Sequence, residues 1–159
     1  MNYIVLFCFI VLIGIAISSC YSFCIENKKT KYLALIHEYG HAIIAEELGF
    51  SVRDMCINTY NAYTAVEFPK EHTKEILEKM IMTYYAGMIS EVVIGKQQIK
   101  GTEFCYLADN QKIDMLLDEY SNQETEREEL RKKLILETMK LIRKNEEKIS
   151  EKVNNATKS

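Results

Sequence analysis

One stretch, "LIHEYGHAIIAEELG" at residues 35–49, constrains the fold more than any other part of the chain. Its apolar residues recur at helical spacing, yet His37, Glu38 and His41 stand among them. Burying two imidazoles and a carboxylate together costs several kcal/mol unless something satisfies them. The fold must therefore bring to this helix a partner for all three polar groups.

The spacing of the two histidines is the one that a metal site on a helix requires. Residues four apart lie on the same helical face, so His37 and His41 can direct two ring nitrogens at one ion. Zinc accepts such ligands at about 2.0–2.1 Å, needs a third protein ligand and keeps one position open for water. Glu38 lies beside that face and could take a proton from this water. The pattern is the HExxH arrangement of zinc metallopeptidases.

The alternative is a core helix that carries two histidines without a metal. A lone histidine on a helix is usually a satisfied core or surface residue. Here a metal is favoured, because one ion would satisfy the whole polar group. Gly40 agrees with this, since a missing side chain lets another element approach the site, at a cost of ~1 kcal/mol in helix propensity.

The rest of the chain predicts a mostly α-helical single domain with a short β hairpin. A single proline, Pro69, leaves few helix breakers. The β-branched and aromatic residues from Val52 to Phe68 predict two short strands around a turn. Apolar residues at helical spacing predict four helices: Lys31–Glu47, Thr73–Ile94, Asp109–Tyr120 and Gln123–Val153.

Several residues predict where these elements begin and end. Gly49 is a natural residue to follow the end of the first helix. Gly95 to Ala108 is predicted to be a loop, and Asn122 a cap of the last helix. That long, highly charged helix, at residues 122–153, is predicted to have a solvated face; a partner-binding coiled coil is the lesser alternative.

The N-terminus predicts a membrane anchor over residues 1–25, before a folded domain at residues 26–159. No charged residue occurs up to Ile25, and Tyr3–Phe23 is long enough to cross a bilayer as a helix. A cleavable signal peptide would begin with basic residues, and this N-terminal sequence has none. By the positive-inside rule, the lysines that follow put the domain in the cytoplasm. The alternative is a lipoprotein processed at Cys20, in "ISSC".

Composition excludes other classes of protein and site. The formal net charge of −3 argues against nucleic-acid binding. Three of the five cysteines lie in or beside the apolar N-terminus, and no CxxC pair occurs. A disulfide framework or a thiolate zinc site is therefore not expected.

Four motifs, in this order, resemble the peptidase domain of the FtsH-type membrane-anchored zinc metalloproteases. The most specific of them is HExxH with its trailing alanine, and together they cover about Lys31 to Tyr120. The four are "HEYGHA" with Leu48-Gly49, the strand-like Val52 to Phe68, "YYAGMISEVVIG" from Tyr84 to Gly95, and "YLADNQKI" from Tyr106 to Ile113. The resemblance implies a zincin-like helical domain.

The resemblance also implies the roles of individual residues. It makes His37 and His41 zinc ligands, Glu38 the general base and Asp109 the third ligand. Glu91, in the segment that matches the family's AAEE stretch, is the alternative third ligand, or a residue that supports the site. Judged from the residues alone, Asp109 could instead be no more than the N-cap of a helix. His72 follows Pro69 closely and is expected at the surface.

The chain also departs from this family. The family carries an ATPase module with a phosphate-binding GxxxxGK[ST] loop, which this sequence lacks, and "AGM" at 86–88 replaces its GGR triplet. We therefore expect a membrane-anchored zinc metalloendopeptidase that is ATP-independent by itself. Its substrate would be a peptide or protein, held in extended form by edge pairing with Cys56–Tyr60 or Tyr63–Phe68.

Other functions and assemblies stay open. The main alternative is a catalytically silent pseudoenzyme or adaptor that acts by protein binding, although a mere zinc scaffold needs no base such as Glu38. An intramembrane protease is disfavoured, because the HExxH motif lies beyond the lysines that follow the predicted span. A homo-oligomer and a separate ATPase partner are both compatible with the sequence.

Overall fold

The computed structural model describes residues 30–58, 62–96 and 104–158, with the side chains of 104–106 left aside. The chain divides into two units, Met1–Tyr32 and Leu33–Ser159, and the second contains the features discussed below. The predicted anchor at residues 1–25 and the lipidation alternative at Cys20 lie outside the described residues. Across these three ranges, no helix is long and apolar enough to cross a membrane.

The described residues form five helices and one two-stranded antiparallel sheet, which confirms the mostly helical class and the short hairpin. They follow one another in this order: α1 (30–47), β1 (Ser51–Ile57), β2 (Ala62–Glu67), α2 (Lys74–Val93), α3 (Phe104–Tyr120), α4 (Glu124–Lys144) and α5 (Glu146–Lys158).

The end of α1 turns the chain directly into the hairpin. Gly49 has φ +89°, the left-handed conformation that glycine adopts without strain. The Phe50 N–H donates to the Ala45 carbonyl at 2.9 Å and the Gly49 N–H to the Glu46 carbonyl at 3.1 Å. These two bonds satisfy carbonyls that would otherwise be orphaned at the helix end. The predicted end of the first helix is confirmed.

The hairpin precedes α2 in the chain. Its register runs from Ser51 opposite Glu67 to Ile57 opposite Ala62, with an irregularity between Val52 and Asp54. In the part of the chain that is described, no third strand pairs with β2. One edge of β2 is therefore not hydrogen-bonded to another described strand.

Helix α2 is the centre of the core. It is close to the predicted Thr73–Ile94 helix: the Thr73 hydroxyl caps it by accepting from the Ile76 N–H at 3.2 Å. It packs against both α3 and α4. The fully buried apolar side chains of this core come from all five helices: Ile36, Ile44, Ile81, Ile113, Leu117, Leu134, Ile142, Ile149 and Val153.

Helix α3 begins earlier than predicted, at Phe104 instead of Asp109. The predicted loop from Gly95 to Ala108 is therefore wrong for its last five residues. The apolar run before Asp109 continues the helical pattern, whereas the glycines at 95 and 101 had suggested a loop. The N-cap alternative for Asp109 is wrong for the same reason, because this residue lies more than one turn inside the helix.

The predicted single helix Gln123–Val153 is also wrong, because it breaks at Asn145 into α4 and α5. The side chain of Asn145 donates to the Leu141 carbonyl at 3.0 Å, an alternative to regular helical bonding. Asn122 is not the cap of α4. Gln123 occupies the N-cap position without a side-chain bond, and its N–H donates to the Ser121 hydroxyl at 3.1 Å.

Candidate metal centre

Two side chains of α1 and one side chain of α3 converge where these two helices meet. The Nε2 atoms of His37 and His41 lie 3.0 Å apart, and each lies 3.1 Å from Oδ2 of Asp109. Both histidines are buried, and Asp109 is mostly covered. The structure thus brings together the three residues that the sequence predicted as metal ligands, and this group could hold a metal ion.

The triangle of ligand atoms has the size that a tetrahedral ion needs. An ion with bonds of about 2.0–2.1 Å separates neighbouring ligand atoms by about 3.3 Å. The observed separations of 3.0 and 3.1 Å are only slightly shorter. Two imidazole nitrogens and one carboxylate oxygen form a donor set that zinc prefers, with a fourth position left for water.

Hydrogen bonds from Nδ1 of each histidine ring determine that Nε2 faces the centre. Nδ1 of His37 donates to the Glu91 carboxylate at 2.7 Å, and Nδ1 of His41 donates to the Thr83 carbonyl at 2.7 Å. Because both acceptors are oxygens, the neutral rings carry their proton on Nδ1. Two Nε2 lone pairs and a carboxylate oxygen then face one another and repel unless a cation lies between them. Such outer bonds typically orient metal-bound histidines.

A proton is the other cation that can balance this group. Burial lowers the pKa of His37, but the hydrogen bonds that its ring donates to the carboxylates of Asp109 and Glu91 outweigh it and raise the pKa to about 9. Burial raises the pKa of Asp109, and its bonds to His37 and His41 outweigh that effect and lower it to about 2. Without a metal, the centre is therefore an imidazolium–carboxylate pair, for which a metal ion must compete.

Two glycines make the close packing around the centre possible. A Cβ on Gly87 of α2 would collide with Nε2 of His41 and lie 2.7 Å from Nε2 of His37. A Cβ on Gly40 would collide with the Ser90 hydroxyl and lie 2.8 Å from the Ala86 carbonyl. The predicted close approach at Gly40 is confirmed. Gly87 was not predicted to matter, although a glycine inside a helix costs enough stability to signal a close contact.

Glu38 lies beside the three candidate ligands and lines a cavity of about 500 Å³. Its side chain is buried, and Oε2 accepts a hydrogen bond of 2.8 Å from the Thr64 hydroxyl of β2. The cavity combines the polar site with residues of the hairpin, α2 and α3. Its lining consists of His37, Glu38, His41, Ala62, Tyr63, Thr64, Ala65, Val66, Phe68, Thr83, Tyr84, Ala108 and Asp109.

The structure separates the two carboxylates that competed for the role of third ligand. Glu91 contacts the outer nitrogen of His37, whereas Asp109 contacts the inner nitrogens of both rings. Glu91 is therefore in the supporting position and Asp109 in the ligand position. His72 lies at the surface, where it pairs with Glu119 at 2.9 Å and contacts the Pro69 carbonyl.

The chain matches no known protein-family model, and no curated protein matches its sequence. The resemblance to the FtsH-type peptidase domain therefore stays a prediction that depends on the quoted motifs.

Proposed function

We propose that this chain is a zinc-dependent metallopeptidase with a zincin-like domain. The observation that carries the proposal is the convergence of two inward-facing imidazole nitrogens and one carboxylate oxygen, within 3.1 Å of one another, beside the buried carboxylate of Glu38. A buried cluster of this kind is costly as pure structure. It is compatible with a divalent ion that lies between the three ligand atoms.

The residues fit zinc in their chemistry as well as their spacing. His37, His41 and Asp109 would hold the ion, while Glu91 and the Thr83 carbonyl hold the two rings in place. Gly87 leaves the space next to the ring nitrogens that a side chain would fill. When bound, the metal supplies a Lewis acid that polarises a carbonyl and makes water more acidic.

The chain's own residues would perform the remaining work. Glu38 would accept a proton from the attacking water at its carboxylate and deliver it to the leaving amine of the cleaved bond. The part of the cavity formed by residues 62–66 would receive the substrate, because an extended peptide can pair with the open edge of β2. This pairing would lay the peptide backbone across the opening above Glu38.

The test compares zinc content with cleavage of casein by the full chain in detergent. The test variant is Glu38→Gln, and the matched control is Glu147→Gln at an exposed position of α5. We expect one zinc per chain in all three proteins. Cleavage should fall by about 10²–10⁴-fold in the first variant only, which is the usual contribution of a general base.

The other outcomes discriminate between the alternatives. Zinc in every protein with no cleavage by any of them would favour the pseudoenzyme or adaptor. Cleavage that survives Glu38→Gln would contradict the role of Glu38. Absence of zinc from the unmodified chain would contradict the metal site itself, and the cluster would then be an imidazolium–carboxylate pair.

The proposal includes attachment to a membrane by the N-terminus, with the catalytic domain on the cytoplasmic side. Its support is the charge-free sequence up to Ile25 and the lysines that follow it. Resistance of the full chain to extraction by alkaline carbonate, together with protease protection in sealed vesicles, tests both statements. The proposal is compatible with a homo-oligomer and with a separate ATPase partner that delivers substrates.

A further inference from the structure

A single hydroxyl joins the hairpin to the glutamate of the site. Oγ1 of Thr64 lies 2.8 Å from Oε2 of Glu38 and 3.0 Å from the main-chain oxygen of the same residue. The main-chain oxygen can only accept a hydrogen bond, and so can the carboxylate oxygen when Glu38 is ionised. The threonine hydroxyl is therefore the donor. Thr64 is the one residue of β2 that hydrogen-bonds to Glu38.

This contact matters because Glu38 is only 6 % exposed. A buried carboxylate needs a donor, and within the described residues Thr64 provides the only hydrogen bond to this one. Oε1 carries no hydrogen bond from any described residue, and Glu38 lines the cavity. The arrangement thus holds one carboxylate oxygen in place and leaves the other for a water.

We propose that Thr64 is a positioning residue that orients the Glu38 carboxylate for proton transfer. The inference rests on the proposed peptidase function and adds a requirement to it. Thr64 lies on the strand whose edge would bind the substrate, so strand and base are linked by one hydrogen bond. A peptide that pairs with β2 is thereby held in register with Glu38.

Loss of the hydroxyl would remove the contact that fixes the Glu38 carboxylate. The carboxylate would become free to rotate about its side-chain torsions, and proton transfer depends steeply on geometry. We expect the rate to fall, since an error of about 1 Å can reduce a rate on the order of a hundredfold.

The experiment measures kcat and KM of the zinc-loaded full chain on a quenched peptide that contains a site cleaved in casein. The test variants are Thr64→Val, which keeps the shape and removes the hydroxyl, and Thr64→Ser, which restores it. The matched control is Thr138→Val, a buried threonine of α4 whose hydroxyl donates to the Leu134 carbonyl at 2.7 Å. Zinc content is measured for each protein.

We expect Thr64→Val to lower kcat about tenfold or more, with KM within about twofold and zinc content unchanged. Thr64→Ser should recover most of kcat, and Thr138→Val should leave kcat unchanged while lowering the melting temperature. A kcat in Thr64→Val equal to that of the unmodified chain would overturn the proposal. So would a lower kcat that Thr64→Ser does not recover.

A second measurement needs no catalysis. In the metal-free full chain, melting temperatures are compared for Thr64→Val, Glu38→Ala and the two combined. The hydrogen bond predicts that the two single changes do not add, whereas Thr138→Val combined with Glu38→Ala should be additive. Additive changes at 64 and 38 would overturn the contact.

The two measurements separate this inference from the proposed function. Cleavage by the unmodified chain with an unchanged Thr64→Val variant overturns the role of Thr64 alone. A zinc-loaded chain that cleaves nothing overturns the proposed function and the positioning role together, even if the melting temperatures still reveal the hydrogen bond.

Discussion

Helix α2 packs against its neighbours through two chemically different sets of side chains. Toward α4 the core is made of large apolar side chains, which we call the apolar half: Leu77, Ile81, Leu130, Leu134 and Ile142. Toward α1 it is made of small and ionisable groups, which we call the site half: His37, Glu38, Gly40, His41, Gly87, Ser90, Glu91 and Asp109.

The difference between these halves predicts that stability and metal binding depend on separate regions of one core. Burial in the apolar half stabilises the fold by about 25 cal/mol per Å² of apolar surface removed from water. Burial in the site half carries a desolvation cost that a cation between the ligands would offset. Substitutions in the apolar half should therefore change the free energy of unfolding, and substitutions in the site half should change metal binding.

The largest effect is expected for Gly87→Ala, which should weaken zinc binding strongly. The added Cβ would lie against the inward-facing nitrogens of His41 and His37, where the ion would be held. We expect the zinc dissociation constant to rise by more than the roughly 10–100-fold that the loss of an outer partner of a metal-bound histidine causes. Titration of the metal-free full chain with zinc measures it.

The matched control is Gly49→Ala at the end of α1. Nothing lies within 4 Å of a Cβ there, but φ is +89°, so an alanine costs about 1–2 kcal/mol of stability. This variant should melt at a lower temperature and still bind zinc with unchanged affinity. Normal zinc affinity in a folded Gly87→Ala protein would contradict the position of α2 against the two rings.

The sequence predicted those parts of the site half that depend on local spacing. His37 and His41 share one helical face by the period of the helix alone, and Gly49 ends that helix by its conformation. Asp109 was predicted only through a family resemblance, because its contact with the histidines is set by how α3 crosses α1. The alternative role of Asp109 as an N-cap is wrong, because α3 begins at Phe104.

Contacts between elements could not be predicted in the same way. The bond from Thr64 to Glu38 depends on the placement of β2 over α1, which no local pattern encodes. The approach of Gly87 depends on how α1 and α2 cross. The break at Asn145 was hidden because Ile142 and Ile149, on either side of it, continue the apolar spacing of one helix.

The second prediction tests the apolar half. Leu134 of α4 is fully buried in the core, and Leu134→Ala leaves a cavity there. We expect a loss of about 2–5 kcal/mol in the free energy of unfolding, the usual range for such a substitution. Urea unfolding of the full chain measures this loss. Zinc affinity of the folded protein should be unchanged, and a large loss of affinity would show that the two halves are coupled.

The smallest expected effect is the pH dependence of stability in the metal-free chain, which depends on the site half. The folded-state pKa of His37 is raised to about 9 from 6.5, so its contribution to stability is complete below about pH 6.5 and is lost as pH rises through 9. The difference corresponds to at most about 3–4 kcal/mol at about 1.4 kcal/mol per pKa unit. The pKa of Asp109 is lowered to about 2, so the contribution of the same ion pair to stability is also lost as pH falls below about 4. Because His37 and Asp109 share this ion pair, its energy is counted once.

Melting temperatures in the presence of EDTA, from pH 4 to pH 10, test this prediction. The metal-free chain should be most stable between about pH 4 and 6.5 and should lose stability toward pH 9, because only protonated His37 can bridge Asp109 and Glu91. His37→Gln should remove this loss, and His72→Gln at the surface should keep it. Zinc must displace the same proton, so binding at pH 7 should release about one proton per ion. Zinc that binds at pH 7 without releasing a proton would mean that the ion and the imidazolium do not compete for one site.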